Sequence, residues 1–450
     1  FQAEDGIRDR SPSRGLGDVY KRQDWVVLAI YFLALILVAV WVVLQKNKNT
    51  EDYFLAGRNV GWFVIGASIF ASNIGSEHVV GLAGTGFESG TPMAHYELHA
   101  WIVLLLGWLF LPFYIRSGAF TMPEFLEKRF DSKSRWFLSL FSLIAYVLTK
   151  VSVTIYAGGI VVSELLGIPF WYGAIGVVVF TGIYTVIGGM KAVIYTETLQ
   201  AVVLILGSII ITYLGLQEVG GWAELRNTVI AASPDHFNMW RPMSDPDFPW
   251  TGLLFGGTIV GVWYWCTDQT IVQRVLGAKT ERDAQIGPLF AGFLKILPVF
   301  LMVFPGVLAY VLFQDKIGDN NNSTLAVMIM ELLPPGLIGL VIAGLLAALM
   351  STISGALNSC STLVAVDIVK RIKPETSEKD QVFIGRITAV VVLLLAMAWS
   401  TQGDKFGSIF EAINKIPMIF APAVTCVFTW GVFWKRGTKE ASLYLSLIHI

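Results

Sequence analysis

Charge is scarce in this sequence. Asp, Glu, Lys and Arg make up 14% of its 450 residues, against roughly 25% in an ordinary soluble domain. With 55% hydrophobic residues, the composition is that of a polytopic membrane protein. No basic tract or aromatic-interleaved basic patch occurs and the formal net charge is −1, which excludes a nucleic-acid surface. Cysteine is nearly absent. Cys266, Cys360 and Cys426 each fall inside an apolar segment without CxxC spacing, so the sequence encodes neither a thiolate metal site nor a disulfide framework, and all three read as packing residues. No HExxH, GxSxG or paired catalytic Asp pattern sits in the apolar segments, and no loop is large enough for a soluble catalytic domain; an enzyme is not expected.

The two ends stand apart. Residues 1–23, FQAEDGIRDRSPSRGLGDVYKRQ, lack the apolar core of a signal peptide and resemble a translated sequencing adapter, as does the end from about residue 444. Both are left out of the fold reasoning, and the natural protein is expected to extend past each.

Apolar runs of about 20 residues predict eleven spans, at 25–44, 60–82, 97–115, 137–163, 170–188, 196–216, 251–272, 286–313, 336–368, 382–401 and 408–434. Alternating the loops puts 19 Lys and Arg on one side and four on the other, which assigns the first side to the cytoplasm. The residue 24 end then lies outside. Setting aside a peripheral helix at 24–45, ten spans remain, and two sets of five must enter the membrane in opposite senses, the inverted-repeat logic of secondary transporters. The expected halves are 60–216 and 251–434, separated by an extracellular loop at 217–250 and followed by a cytoplasmic loop at 435–450. The symmetry is one of topology, since no residue-level repeat is visible.

Polar residues inside the spans carry the functional signal. In Gly66–Glu97, GASIFASNIGSEHVVGLAGTGFESGTPMAHYE, an apolar helix runs into Asn73, Ser76, Glu77 and His78 with five glycines. Free backbone groups at this depth are tolerated only where they line a protein cavity or meet an ion; the bland alternative is close glycine packing of two helices. His78 offers one donor and one acceptor to an uncharged polyhydroxylated ligand, or packs. Glu97 either receives two hydroxyls or caps its helix. Lys295, too deep in GFLKILP to snorkel, wants an anion or hydroxyl, with Glu97 the candidate partner. Lys150 is also mid-span, without an assigned role. Glu197 lies near a span end, at the interface or on an ion path.

The tract 345–363, LLAALMSTISGALNSCSTL, is rich in hydroxyls. Opposite a broken helix, these and freed carbonyls supply the oxygens that a sodium ion wants without a full carboxylate. Aromatics crowd the ligand side at Tyr96, Trp263, Tyr264, Trp265 and Phe410, suited to the faces of a sugar ring, with an interfacial belt the favoured reading for Trp263.

Several long motifs in order, EDYFLAGR at 51–58, ASNIGSEHVVGLAGTG at 71–86, TMPEFLEKRF at 121–130, IGGMKAVIYTETLQ at 187–200, WYWCTDQTIVQRVLGAK at 263–279, GFLKILP at 292–298 and ALMSTISGALNSCSTL at 348–363, resemble the sodium/solute symporter family, closest to its sodium/glucose branch. The resemblance implies an all-α LeuT-like fold of two inverted five-helix repeats with one preceding helix and a truncated C-terminus. It implies alternating access and sodium as the coupling ion, with no organic cofactor. By resemblance the sodium site is formed by the carbonyls of Ala71, Ile74 and Ala348 and the hydroxyls of Ser351 and Thr352, with Glu197 near the ion path. The sugar site carries over to Asn73, His78, Glu97, Tyr264, Trp265, Lys295 and Asn414. Tyr264 doubles as an inner gate, and Leu82, Tyr96 and Phe410 form an outer one.

Three positions depart from the sugar branch: Asn414 for Gln, Gly261 for a polar residue and Glu197 for Asp. The expected function is import of a neutral monosaccharide, glucose or galactose, through a bacterial inner membrane, with the lipid bilayer as surroundings. The alternatives are inositol, another polyol or a small carboxylate as solute, or a sodium-leak channel or nutrient sensor on the same scaffold.

Overall fold

Hydrocarbon offers a single chain helices or a closed barrel, and this chain takes helices. The computed structural model describes residues 22–45, 49–402 and 409–448, apart from the side chains of Ser76, Glu77, Glu164, 409–417 and Ile448. Among the described residues there is no strand, only isolated bridges at Val60–Ala278 and Arg241–Pro249. The principal helices are α1 (Arg22–Leu44), α2 (Trp62–Asn73), α3 (Ser76–Ser89), α4 (Thr91–Ser117), α5 (Ser132–Ser163), α6 (Phe170–Glu218) and α7 (Trp222–Ala232). They continue with α8 (Gly252–Thr267), α9 (Gln269–Leu276), α10 (Glu281–Leu312), α11 (Leu337–Ile372), α12 (Glu378–Ser400) and α13 (Ile409–Phe433). Each of the eleven expected spans falls on one of these helices or on a broken pair; among the described residues, seven helices are long and apolar enough to cross a membrane alone.

Two spans are broken, and they are the first of each expected half. Between α2 and α3 the chain leaves helical geometry at Ile74 (φ −101°, ψ 100°) and Gly75, and the axes bend by 61°. Between α8 and α9 it does so at Asp268 (ψ 132°), whose carboxylate caps α9 by accepting from the Thr270 N–H at 2.9 Å.

The 49 residues of α6 have a helical length of about 73 Å, more than twice the roughly 30 Å hydrocarbon layer. A turn is therefore obligatory. Gly189 makes it with φ 62°, and a Cβ there would lie 2.5 Å from the Tyr53 carbonyl oxygen. The separate loop expected at 190–195 is not formed. A one-residue elbow replaces it.

α11 runs through the centre, with almost every residue from Ile338 to Asp367 buried. Its N-terminus is met by Asp24, which accepts from the N–H groups of Gly336 at 2.7 Å and Gly339 at 2.8 Å, satisfying donors that a helix start leaves open. α1 exposes Ile30, Leu33 and Leu37 outward, as lipid contact requires. The glycine-rich run of α3 serves close packing as well as the break: a Cβ on Gly86 would stand 2.2 Å from the Val303 carbonyl oxygen, and one on Gly306 2.1 Å from that of Ala83. Small residues let helix backbones meet where no hydrophobic effect drives them together.

The 217–250 segment is anchored by Leu225 and Val229 in the core, by Arg241, which donates to the Ser89 carbonyl at 2.9 Å, and by a histidine. His236 is buried, its Nε2 meets the Phe87 carbonyl at 3.1 Å and its Nδ1 the Ser233 hydroxyl at 2.8 Å. Burial holds this imidazole below its ordinary value of 6.5. The undocked segment therefore takes up a proton first as pH falls below 6.5, and the docking contribution, complete above that value, is lost on acidification. Hydrogen-exchange protection factors across 217–250 are expected to drop between about pH 7 and pH 5 and to stay flat in His236→Asn. Parallel curves for the two chains would remove His236 as the cause.

Candidate functional site

The two breaks open onto one cavity with about 140 Å³ of room. α2 and α3 bring Ser72, Asn73 and His78 to it, α4 brings Tyr96, Glu97 and His99, and α5 brings Tyr146, Thr149 and Lys150. Trp263, Tyr264, Trp265 and Asp268 line it from the second break, Lys295 from α10 and Thr352 from α11.

A buried charge group occupies one side. Lys295 donates to Glu97 Oε2 and, at 2.6 Å, to Asn73 Oδ1; His78 Nε2 meets Glu97 Oε1. Glu97 is 1% and Lys295 2% exposed, so either alone would be an uncompensated charge in a low dielectric, costing several kcal/mol. The helix cap reading of Glu97 fails: α4 begins at Thr91, and the carboxylate is turned to Lys295 and His78. Lys295 sits where α10 is irregular, at the end of a regular turn and before Pro298.

Aromatic rings make the facing wall. Lys150 lies 5.1 Å from the Tyr264 ring centroid and Lys295 6.0 Å from that of Trp265, within cation–π range. Trp263 stands edge-on to Tyr264 and Phe420 and lines the cavity, so it is not the interfacial belt residue expected. Both Tyr146–Val151 and Trp263–Thr267 are wide π-turns, which commonly occur at functional sites. They give Lys150 its role: it donates to Thr270 Oγ1 at 2.8 Å, while Tyr146 donates to Asp268 Oδ2 at 2.8 Å. These bonds tie α5 across the second break.

Opposite the first break, α11 presents Ser351 and Thr352. Ser351 Oγ is 2.9 Å from the Ala71 carbonyl oxygen and 2.8 Å from that of Ala348, and Thr352 Oγ1 is 3.2 Å from the latter. One serine proton serves only one of its two acceptors, leaving electron-rich oxygen facing oxygen, a donor set that fits a hard cation. Ile74 is buried at the break itself. Among the described residues no group of three His, Cys, Asp or Glu is placed to hold a metal, so neutral oxygens are the convergent ones here.

Other expected residues lie elsewhere. Leu82 is fully buried in the core and does not line the cavity; Tyr96 does, its ring 6.2 Å from that of His78. The side chains of Phe410 and Asn414 lie outside the described residues. Glu197 is not interfacial: it is fully buried, takes 2.6 Å from Arg274 Nη2, and accepts from Ser68. α11 makes room for this pair with Gly355, where a Cβ would stand 2.6 Å from Arg274 Nη2. Sequence reasoning missed Arg274, Asp268, Tyr146 and His99. A signal existed for Arg274 and Asp268, ionisable residues bracketing a short run beside an apolar span.

The model of the "Sodium:solute symporter family" matches residues 53–448. Sodium/glucose cotransporter 1 of Oryctolagus cuniculus is 38% identical over 460 residues, covering 94% of this chain and 70% of that protein. The sodium/myo-inositol cotransporter of Homo sapiens is 37% identical over 467 residues, covering 94% and 65%. Among solved structures, a Na+-coupled sialic acid symporter in a substrate-bound outward-open state aligns with TM-score 0.84 at 24% identity, covering 94% of this chain and 89% of that one. Mhp1, a nucleobase-cation-symport-1 family transporter in a closed conformation, aligns at 0.53 and 16%, covering 90% and 94%. These likenesses give the chain the all-α LeuT-type fold expected from its sequence.

The buried Arg274–Glu197 pair generates a test. Glu197→Ala strands the guanidinium and is expected to destabilise the folded protein by about 3–5 kcal/mol, whereas Glu197→Leu with Arg274→Met recovers most of that loss. Thermal unfolding in detergent reads both, and a double variant no better than the single would refute the pairing energetics.

Proposed function

The chain belongs to the sodium:solute symporter family, and from that membership we propose that it imports a neutral monosaccharide, glucose or galactose, driven by inward sodium flow. Sodium-coupled symport is what the family and the relatives share, and their activity is transport, not enzymatic turnover. The observation that carries the finer reading is charge balance in the cavity. Lys295 is paired with Glu97 and bonded to Asn73, and Lys150 and Asp268, of opposite sign, share Thr270 as a partner, so the charges on the cavity wall balance. Rings on one wall and paired polar groups on the other suit an uncharged polyhydroxylated ring.

In this reading Asn73, His78, Glu97, Tyr264, Trp265, Lys295 and Asn414 hold the sugar. Ala71, Ile74 and Ala348 offer carbonyls, and Ser351 and Thr352 hydroxyls, to sodium. Thr352 supports the coupling, because it belongs to the ion cluster and also lines the solute cavity. An ion drawing the first break against α11 shapes the wall that carries Asn73, and by reciprocity solute tightens sodium to the same factor. Each inward charge contributes about 2.3 kcal/mol per 100 mV. Tyr264 and Tyr96 act as gates, with Leu82 and Phe410 on the outer side; Glu197 bears on the ion path only in competition with Arg274. The halves 60–216 and 251–434 are the inverted repeats, 217–250 is extracellular, and the residence is a bacterial plasma membrane.

A second reading has its own support: sodium/myo-inositol cotransporters match at 37% identity, beside 38% for a sodium/glucose one, so inositol or a related polyol fits the same neutral cavity. A carboxylate fits less well, because Lys295 is already paired. Uptake of labelled glucose, galactose and myo-inositol into proteoliposomes, with sodium, lithium or potassium outside, decides. Ser351→Ala is expected to raise the half-saturating sodium concentration about tenfold, and Glu97→Ala to abolish uptake while sodium binding persists. Sodium currents indifferent to every solute would instead make this a leak channel or sensor.

A further inference from the structure

A smaller recess, with about 20 Å³ of room, adjoins the cavity. The two share Ala145, Tyr146, Trp263, Asp268 and Phe420, so these residues form the septum between them. Along α5 the cavity takes Ala145 to Lys150 and the recess Leu138 to Tyr146, which puts the recess on the Ser132 side. It reaches Met122 and Pro123 of the short helix Met122–Arg129. That stretch of chain carries Arg116, Lys128, Arg129, Lys133 and Arg135, and loop charge assigns it to the cytoplasm. The recess therefore leads from the cavity toward the cytoplasmic side, and the septum is where the way is narrow.

The septum has an apolar part and a polar part. Trp263 stands edge-on to Phe420 and Phe420 edge-on to Phe141, rings from α8, α13 and α5. The polar part is a circuit of hydrogen bonds. Tyr146 donates to Asp268 Oδ2 at 2.8 Å, Lys150 donates to Thr270 Oγ1 at 2.8 Å, and the Thr270 hydroxyl in turn donates to Asp268 Oδ1. Both donors from α5 lie four residues apart in one π-turn, and both partners stand at the start of α9. Leu138, Ser142 and Tyr146 make one wall of the recess. Asp268, Gln269 and Met122 make another jointly, since Gln269 Oε1 accepts from the Met122 N–H at 2.8 Å. A side-chain hydrogen bond is lost once its atoms part beyond about 3.5 Å, so α9 cannot draw away from α5 to widen the recess without breaking the circuit.

Resting on the import reading and on this sidedness, we propose that Tyr146 and Lys150 are positioning residues for solute release: together they strap α9 to α5 and keep the cytoplasmic way out of the cavity shut until the strap parts. The strap is separate from Tyr264, the inner gate carried over by resemblance, yet joined to it, because Lys150 Nζ lies 5.1 Å from the Tyr264 ring centroid. The wall that faces the solute and the bond that bars its exit thus share one lysine.

Ser142 lines the recess and not the cavity, so a thiol placed there reports its opening. The full chain, carrying Ser142→Cys with Cys266, Cys360 and Cys426 replaced by Ala, is labelled with a membrane-impermeant maleimide in inside-out and right-side-out vesicles, with and without sodium on the outer side. Outer sodium is expected to slow cytoplasmic labelling of this parent. Tyr146→Phe keeps the ring and drops one bond; Thr270→Val keeps the shape and drops the shared hydroxyl. Each is expected to speed cytoplasmic labelling about tenfold with no gain from the outer side. In the chain with its own cysteines, each is also expected to raise the half-saturating outer sodium for glucose or myo-inositol uptake, because sodium must first recover the outward-facing population. Variants that label at the parent rate, or faster from both sides alike, overturn the strap and leave symport standing, and an unchanged sodium requirement overturns it independently. A parent whose labelling ignores sodium and whose uptake ignores every solute overturns the import reading and the strap with it.

Discussion

A backbone that leaves helical geometry inside hydrocarbon must find partners for its N–H and C=O groups within the protein, and this molecule is arranged around two places where it does so. At Ile74–Gly75 the first break lies against the hydroxyls of α11. At Asp268 the second is capped by its own carboxylate and tied to α5 through Tyr146 and Thr270. The cavity exists because both breaks face it. Polar atoms needed to satisfy unwound backbone are, by the same placement, available to an ion and a solute.

Three of the buried carboxylates are ion-paired. Glu97 pairs with Lys295, Glu197 with Arg274 and Asp367 with Arg135, each joining helices far apart in sequence. Such pairs contribute little net stability relative to apolar packing, yet removing one member is severe. Their value here is positional, since each fixes one helix against another at a chosen height. Glu97–Lys295 does this at the cavity and Glu197–Arg274 does it beside Ser68 and Gly355. Gly355 shows how closely α11 is fitted to the second pair.

Span positions were legible because a transmembrane helix announces itself by length and apolarity, and the Lys295–Glu97 contact because a mid-span lysine has so few possible partners. The convergence of Ala71, Ala348, Ser351 and Thr352 followed from family motifs. What escaped was set by local geometry rather than composition. The elbow at Gly189 looked like a loop because the 190–195 stretch carries Lys191, and a lysine between two apolar runs reads as an interface. Trp263 was taken for a belt residue since nothing in the sequence shows that Trp263–Thr267 forms a π-turn, which redirects the ring inward.

The elbow at Gly189 also bears on how the molecule can move. Two spans joined by a flexible loop can tilt separately; here a single left-handed residue, wedged against the Tyr53 carbonyl, leaves no slack between them. The 170–188 and 190–218 arms therefore hold one angle, with Glu197 on the second and Gly182, against Leu393 of α12, on the first, so that a rigid tilt of either would carry the other with it.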